Sequence, residues 1–139
     1  MIDSTERDLF NADHHAFRDT VRRFLADVIA PNLDRHEADG IVERAAWEKA
    51  GEAGLLCPQV PEAYGGLGLN FGFNAIVAEE LSYMGSAAGF TLQSDIVADY
   101  LVHYGSEEQK QRHLPAMVAG TTISAIAMTE PGAGSDLQR

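Results

Sequence analysis

The residues best suited to chemistry lie near the end of the sequence, where two hydroxyl side chains flank a pair of glycines. Thr129 and Ser135 supply hydroxyls that can both donate and accept hydrogen bonds. Gly132 and Gly134 would let the backbone approach a ligand closely. Such a loop after a strand suits a phosphate group or the edge of a heteroaromatic ring. The same residue types are common in ordinary turns, so on these grounds alone a binding loop and a plain turn are equally good interpretations.

Other reactive residue types do not form a catalytic or metal-binding pattern. His36 lacks the second histidine four residues away that a zinc helix requires. Glu79 and Glu80 are neighbours on a predicted helix, so they should face different directions, and we interpret them as structural rather than as a catalytic base. Cys57 is predicted to be a buried, inert thiol. The sequence therefore predicts no metal site.

Several elements must position the loop from Thr129 to Ser135. The first is a long amphipathic helix predicted after Asp13. Apolar residues recur at helical spacing and form one stripe: Phe17, Val21, Phe24, Leu25, Val28 and Ile29. Arg18 and Arg22 fall on the opposite, polar face, and Asn11 or Asp13 is the expected N-cap. Pro31 should end or kink this helix.

Further helices are predicted over about 43–53, 74–84 and 87–104. A glycine- and proline-rich loop over 55–72 separates the first of these from the second. A last helix follows Ser106, with Gln109 at the position of a capping box. Thr121 to Met128 is rich in β-branched residues and predicts a strand. Because a lone strand cannot satisfy its own backbone, its partner is expected to lie outside these residues.

Composition limits the function classes. The chain has 139 residues, 45% of them hydrophobic, and carries a net charge of −11. Such an acidic protein is disfavoured as a partner of nucleic acid or of an anionic membrane. With one cysteine, no spanning apolar run and no signal-peptide pattern, the expectation is a cytoplasmic protein.

Five motifs resemble acyl-CoA dehydrogenases, and they occur in that family's order and spacing. The segment Ala127 to Asp136 resembles the family's signature sequence, and Pro61 to Gly66 resembles its Pro-Glu-x-Tyr-Gly-Gly loop. Tyr104 to Lys110 resembles a helix start of the family. Glu80 to Ser82 and Phe17 to Phe24 are similar to two of its helices. The aliphatic Ile126, within the run Ala125-Ile126-Ala127-Met128, is most similar to the long-chain branch of the family.

The resemblance implies an all-α fold for most of the chain. Residues 1–120 would be the family's N-terminal helical bundle, and residues 121–139 the opening strand and loop of its middle β-domain, which is incomplete here. The family's catalytic glutamate belongs to a C-terminal helical domain that these residues do not contain. The 139 residues alone are therefore expected to be inactive.

The resemblance also implies FAD as the cofactor and an acyl-CoA thioester as the substrate, which undergoes α,β-desaturation with hydride transfer to the flavin. The implied cofactor-binding residues are Ile126, Ala127, Met128, Thr129, Gly134 and Ser135. Thr129 would hydrogen-bond the flavin edge near N5, and Ser135 would also contact the acyl-CoA. Thr91 and Asp95 align with positions that form the floor of the acyl pocket in relatives.

Implied partners are an electron-transfer flavoprotein as acceptor and, in the full-length enzyme, further copies of the same chain. Three alternatives stay open at this point. They are a non-enzymatic helical interaction module, one subunit of a split dehydrogenase, and a flavin-dependent oxidase or monooxygenase of the same fold. The Thr-Glu-Pro run that begins at Thr129 argues against the last of these.

Overall fold

The computed structural model describes residues 9–136. Most helices in this range form close to where the apolar periodicity predicts them. Residues 1–8 and 137–139, which belong to the predicted domains, lie outside the described residues. The α-helices are α1 (Ala12–Phe24), α2 (Leu33–Asp39), α3 (Arg44–Glu52), α4 (Phe71–Met84), α5 (Ala98–Tyr104) and α6 (Glu107–Val118). Two π-helical turns, Leu25–Ile29 and Leu92–Val97, directly follow α1 and precede α5.

Side-chain caps fix where the first and last helices begin. Asn11 caps α1, because its side-chain oxygen accepts from the backbone N–H of Asp13 at 3.0 Å and of His14 at 3.1 Å. The predicted capping box of α6 is confirmed, with Ser106 and Gln109 each bonding the other's backbone N–H. Pro31 lies in a 3-10 turn over Ala30–Asn32 and interrupts the first helical run, as predicted.

The core forms where α1, α3, α4 and α6 meet, together with Phe90 and the loop residues that follow α3. Phe17 on α1 packs edge-on against Phe73 on α4, with ring centroids 5.2 Å apart. Trp47 on α3 packs edge-on against Phe90 at 4.6 Å, a favoured aromatic geometry. Most of the predicted apolar stripe of α1 is buried in this core, so the predicted helical bundle is confirmed.

The polar face predicted for α1 is wrong at Arg18, which is only 2% exposed. Its guanidinium pairs with Glu79 at 2.7 Å and with Glu80, both on α4. Arg22 also pairs with Glu80, at 2.9 Å. Glu79 and Glu80 are thus structural, as predicted, although both reach the same guanidinium rather than different surroundings.

The strand predicted over Thr121 to Met128 is not formed. Within residues 9–136 no strand is present, and the β-pairing there is one isolated bridge between Glu130 and Ala133. The physical reason is that a strand needs a neighbour to satisfy its N–H and C=O groups, and the described residues offer none. The segment is left extended. No helix among the described residues is long and apolar enough to cross a membrane.

Candidate functional site

The predicted cofactor residues form one exposed ribbon at the end of the helical bundle. Ile126, Ala127, Met128, Thr129, Gly134 and Ser135 are all exposed. Met128 has 54% of its surface accessible, a high value for a large apolar side chain. The ribbon turns back on itself through two 3.0 Å backbone hydrogen bonds between Glu130 and Ala133. It therefore presents hydroxyls and apolar side chains on an open face.

Two glycines of this ribbon are not required by the chain itself. Neither Gly132 nor Gly134 has a positive φ, and a Cβ added at either would meet no atom within 4 Å. By contrast, a Cβ at Gly120 would collide with the Trp47 backbone, so that glycine is needed for packing. Glycines that neither conformation nor packing demands fit the close approach of a ligand or of another part of a longer protein. The ribbon therefore leaves room for such an approach at both glycines.

The segment that leads into the ribbon is held against the helices by polar contacts. Arg44 on α3 donates from Nη1 to the carbonyl oxygen of Thr121 at 3.1 Å. The Thr122 N–H donates to the Ala116 carbonyl of α6 at 3.0 Å. Sequence reasoning did not single out Arg44, because its partner is a backbone atom 77 residues away.

Asp95 lies in a cleft of about 380 Å³ between the 55–70 loop and α5. The cleft is lined by Gln59, Pro61, Phe71, Asp95, Asp99, Val102 and His103. Asn74 donates to the Asp95 carboxylate at 2.8 Å. Burial raises the pKa of Asp95, against the smaller opposing effect of that hydrogen bond. Thr91 is half-buried and does not line this cleft, so the two residues predicted for the acyl pocket do not both line it.

The turn that contains Asp95 also holds the loop residues just before the Pro61 to Gly66 motif. Ser94 accepts through Oγ from the backbone N–H of Cys57 at 2.9 Å, and its carbonyl accepts from the Gln59 side chain. Gln59 in turn accepts from Asn74 at 2.8 Å. Cys57 is fully buried, as predicted, and burial raises the pKa of its thiol to about 12, which disfavours the reactive thiolate.

A second groove, of about 610 Å³, lies between α2, α3 and the 86–89 loop, with Ile123 at its edge. His36 lines it and pairs with Glu43 at 2.5 Å. The pKa of Glu43 is lowered by a hydrogen bond from its own backbone and by His36 and Arg35. No group of three metal-ligating side chains is found within residues 9–136.

Comparison with known proteins places the chain among flavoprotein dehydrogenases. The family model described as "Acyl-CoA dehydrogenase, N-terminal domain" matches residues 11–121. The chain is 48% identical to the mitochondrial long-chain specific acyl-CoA dehydrogenase of Sus scrofa over 139 residues, 99% of this chain and 32% of that protein.

Solved structures agree with the sequence comparison. The crystal structure of an acyl-CoA dehydrogenase from Geobacillus kaustophilus matches with a TM-score of 0.89 and 48% identity, over 94% of this chain and 34% of that one. An acyl-CoA dehydrogenase from Bacillus anthracis, complexed with FAD, matches with a TM-score of 0.76 and 34% identity, over 92% of this chain and 22% of that one. The chain thus spans about a third of the length of the curated relatives it matches.

Proposed function

The chain belongs to the acyl-CoA dehydrogenase family, and we propose that it supplies the N-terminal helical domain and the flavin-contacting ribbon of a flavin-dependent acyl-CoA dehydrogenase. We divide it at about residue 120 into a helical domain and the opening of a β-domain. This division is supported by the end of α6 at Val118 and by the end of the family match at residue 121. In the complete protein, residues 121–128 would pair as a strand with a segment outside this chain.

The observation that carries the proposal is the exposed ribbon from Ile126 to Ser135, with glycines that the chain itself does not require. We propose that Ile126, Ala127, Met128, Thr129, Gly134 and Ser135 hold FAD, the group found in the Bacillus anthracis relative. When bound, FAD supplies the hydride acceptor for the reaction. The Thr129 hydroxyl would donate to the flavin edge, and Gly134 would let the backbone approach the cofactor.

The proposed reaction is α,β-desaturation of an acyl-CoA thioester. A carboxylate outside these residues would take the α proton, as the family resemblance implies, while Glu79 and Glu80 are held by Arg18. Ser135 would contact the acyl-CoA, and Thr91 and Asp95 would contribute to the floor of the acyl pocket. The name of the Sus scrofa relative makes a long-chain thioester the first substrate to test.

Further parts of the proposal concern assembly. The 139 residues alone would be inactive, because the base and the remaining cofactor contacts would come from other parts of the protein. The complete enzyme would associate with copies of itself and pass electrons to an electron-transfer flavoprotein.

A second candidate function is a non-enzymatic interaction module, or one subunit of a split dehydrogenase. It is favoured by exposed apolar side chains on α5, where Tyr100 and Tyr104 lie 5.9 Å apart and Tyr104 is 82% exposed. Apolar surface of this kind marks a contact with another protein part.

Anaerobic titration of the complete gene product with a long-chain acyl-CoA distinguishes these functions. The dehydrogenase proposal expects a yellow protein whose visible flavin band bleaches as the thioester is added. A complete gene product that is colourless, and stays so after incubation with FAD, would overturn it and leave the interaction module. The 139-residue chain serves as the control and is expected to show no bleaching.

A further inference from the structure

We propose that Gln93 is a positioning residue that sets the placement of the flavin-contacting ribbon relative to the acyl pocket. The inference rests on the proposed function for the identity of the ribbon. The hydrogen bonds by which Gln93 links α6 to the segment before the ribbon, here called the tether, are a property of the described residues.

Gln93 is fully buried, and its side-chain amide bridges two backbone segments. Its Nε2 donates to the carbonyl oxygen of Met117, at the end of α6, at 2.9 Å. Its Oε1 accepts from the backbone N–H of Ser124 at 2.8 Å and from the Ser124 hydroxyl at 3.3 Å. Glutamine satisfies both segments because its amide is donor and acceptor at once. An apolar side chain of the same length would leave a carbonyl and an N–H without these partners.

This contact is the last one that holds the chain before the ribbon. Upstream, Thr121 and Thr122 are tied to Arg44 and Ala116. Downstream, within the described part of the chain, the next hydrogen bonds are those of the local turn between residues 130 and 133. Residues 125–129 therefore take their starting position and direction from Gln93.

The same π-helical turn also contacts the other side of the proposed site. Ser94 holds the loop at Cys57, and Asp95 lines the cleft beside it. Gln93 lies between Thr91 and Asp95, the two residues proposed for the acyl pocket. One turn thus holds the substrate side and the cofactor side together, and π-helical turns of this kind are frequent at functional sites. A displacement of one side relative to the other would misalign the reacting atoms, to which desaturation is sensitive.

The first experiment measures the tether without any cofactor. Hydrogen exchange of the 139-residue chain is compared for the wild type, Gln93→Met and Ser124→Ala. The proposal expects at least a roughly tenfold faster exchange of the Ser124 amide in Gln93→Met, with the amides of α6 unchanged. Ser124→Ala is the matched control, since it keeps the backbone N–H and should stay protected. Equal protection in Gln93→Met and the wild type would overturn the tether.

The second experiment measures turnover and the flavin absorption spectrum in the complete gene product. Gln93→Met is expected to lower kcat roughly tenfold or more, with KM changed less than about twofold, and to shift the flavin band. Gln93→Glu should regain activity as the pH falls, because the protonated carboxyl can again donate to Met117 while accepting from Ser124. A purely structural role would instead lower the unfolding midpoint of the variants together with their activity and leave the flavin band of the folded protein unshifted.

Ser124→Pro keeps the test decisive if the Gln93 variants do not fold. Proline has no backbone N–H, so this variant loses the hydrogen bond to Gln93. Because Ser124 is half-buried and outside the core, the variant should fold and should reproduce the loss of kcat. Normal kcat and an unshifted flavin spectrum in Ser124→Pro and any folded Gln93 variant would overturn the inference while the proposed function stands. A complete gene product without flavin would overturn the proposed function, while the exchange experiment still decides the tether.

Discussion

Arg18 places a charged guanidinium almost completely out of water, and its surroundings show how the fold accommodates it. Glu79 and Glu80 pair with it, Arg22 shares Glu80, and the Phe10 ring lies 5.2 Å from its guanidinium carbon. The two cations and two anions balance one another. Removing one member should lower the free energy of unfolding by more than the whole cluster contributes to it, because the remaining charges stay buried.

We therefore expect Arg18→Met to lower the free energy of unfolding by about 3–5 kcal/mol, because it leaves Glu80 buried without its main partner. Urea denaturation of the 139-residue chain measures this. Arg23→Met, on the exposed side of α1, is the matched control and should change stability by less than about 0.5 kcal/mol. A loss for Arg18→Met no larger than that of the control would contradict the account of the cluster.

Asp95 gives a pH-dependent prediction at the same scale. Burial raises its pKa in the folded state, so folding favours the protonated carboxyl and its ionisation destabilises the protein as pH rises. Asp95→Asn should therefore increase stability at neutral pH, by a modest amount because the group is only half-buried. The gain should disappear below about pH 4, where the unfolded-state carboxyl is also protonated. Thermal unfolding across pH tests this, and a gain that grows towards acid would contradict it.

At the scale of elements, most helices were predictable because their signals are local. Asn11 and Ser106 mark helix starts through their own side chains, and Pro31 interrupts a helix by chemistry that depends on no neighbour. Arg18 was placed on the wrong face because periodicity along α1 contains no information about acidic residues on α4. Gln93 could not be predicted as a bridging residue, because its two partners lie 24 and 31 residues away along the chain.

The candidate site was predictable only in part, for a related reason. The ribbon from Ile126 to Ser135 was found from its residue types and its resemblance to a family motif. Its conformation could not be predicted, because the strand expected over Thr121 to Met128 depends on a partner segment. Helical spacing also could not show that Asp95 and not Thr91 lines the cleft, because the cleft is formed by residues of the 55–70 loop, α4 and α5 that lie around Asp95.

The capping box of α6 gives a prediction for an element. Ser106→Ala should lower the free energy of unfolding by about 1 kcal/mol, since the Gln109 N–H loses its acceptor. Ser106→Asp keeps an acceptor at the helix start and should be close to neutral. Denaturant midpoints of the two variants provide the comparison. Equal losses for alanine and aspartate would show that the cap does not stabilise the helix.

At the scale of the whole molecule, the chain combines a well-packed helical core with surfaces that lack a partner within residues 9–136. The core holds most of the large apolar side chains, while Met128, Tyr100 and Tyr104 remain exposed. In our proposal, the ribbon and α5 would contact further parts of a protein as long as its relatives. A folded helical domain with an exposed ribbon at its end is what the proposed function requires.

The most direct test of that account is Gly134→Val, compared in two contexts. In the 139-residue chain, the unfolding midpoint should not change, because a Cβ at Gly134 meets open space and the backbone has no positive φ. In the complete gene product, the same substitution should lower the FAD content, measured from the visible band relative to protein absorbance, because the side chain enters the space of the cofactor. Full FAD content in the complete variant would contradict the assignment of the ribbon as a flavin-contacting segment.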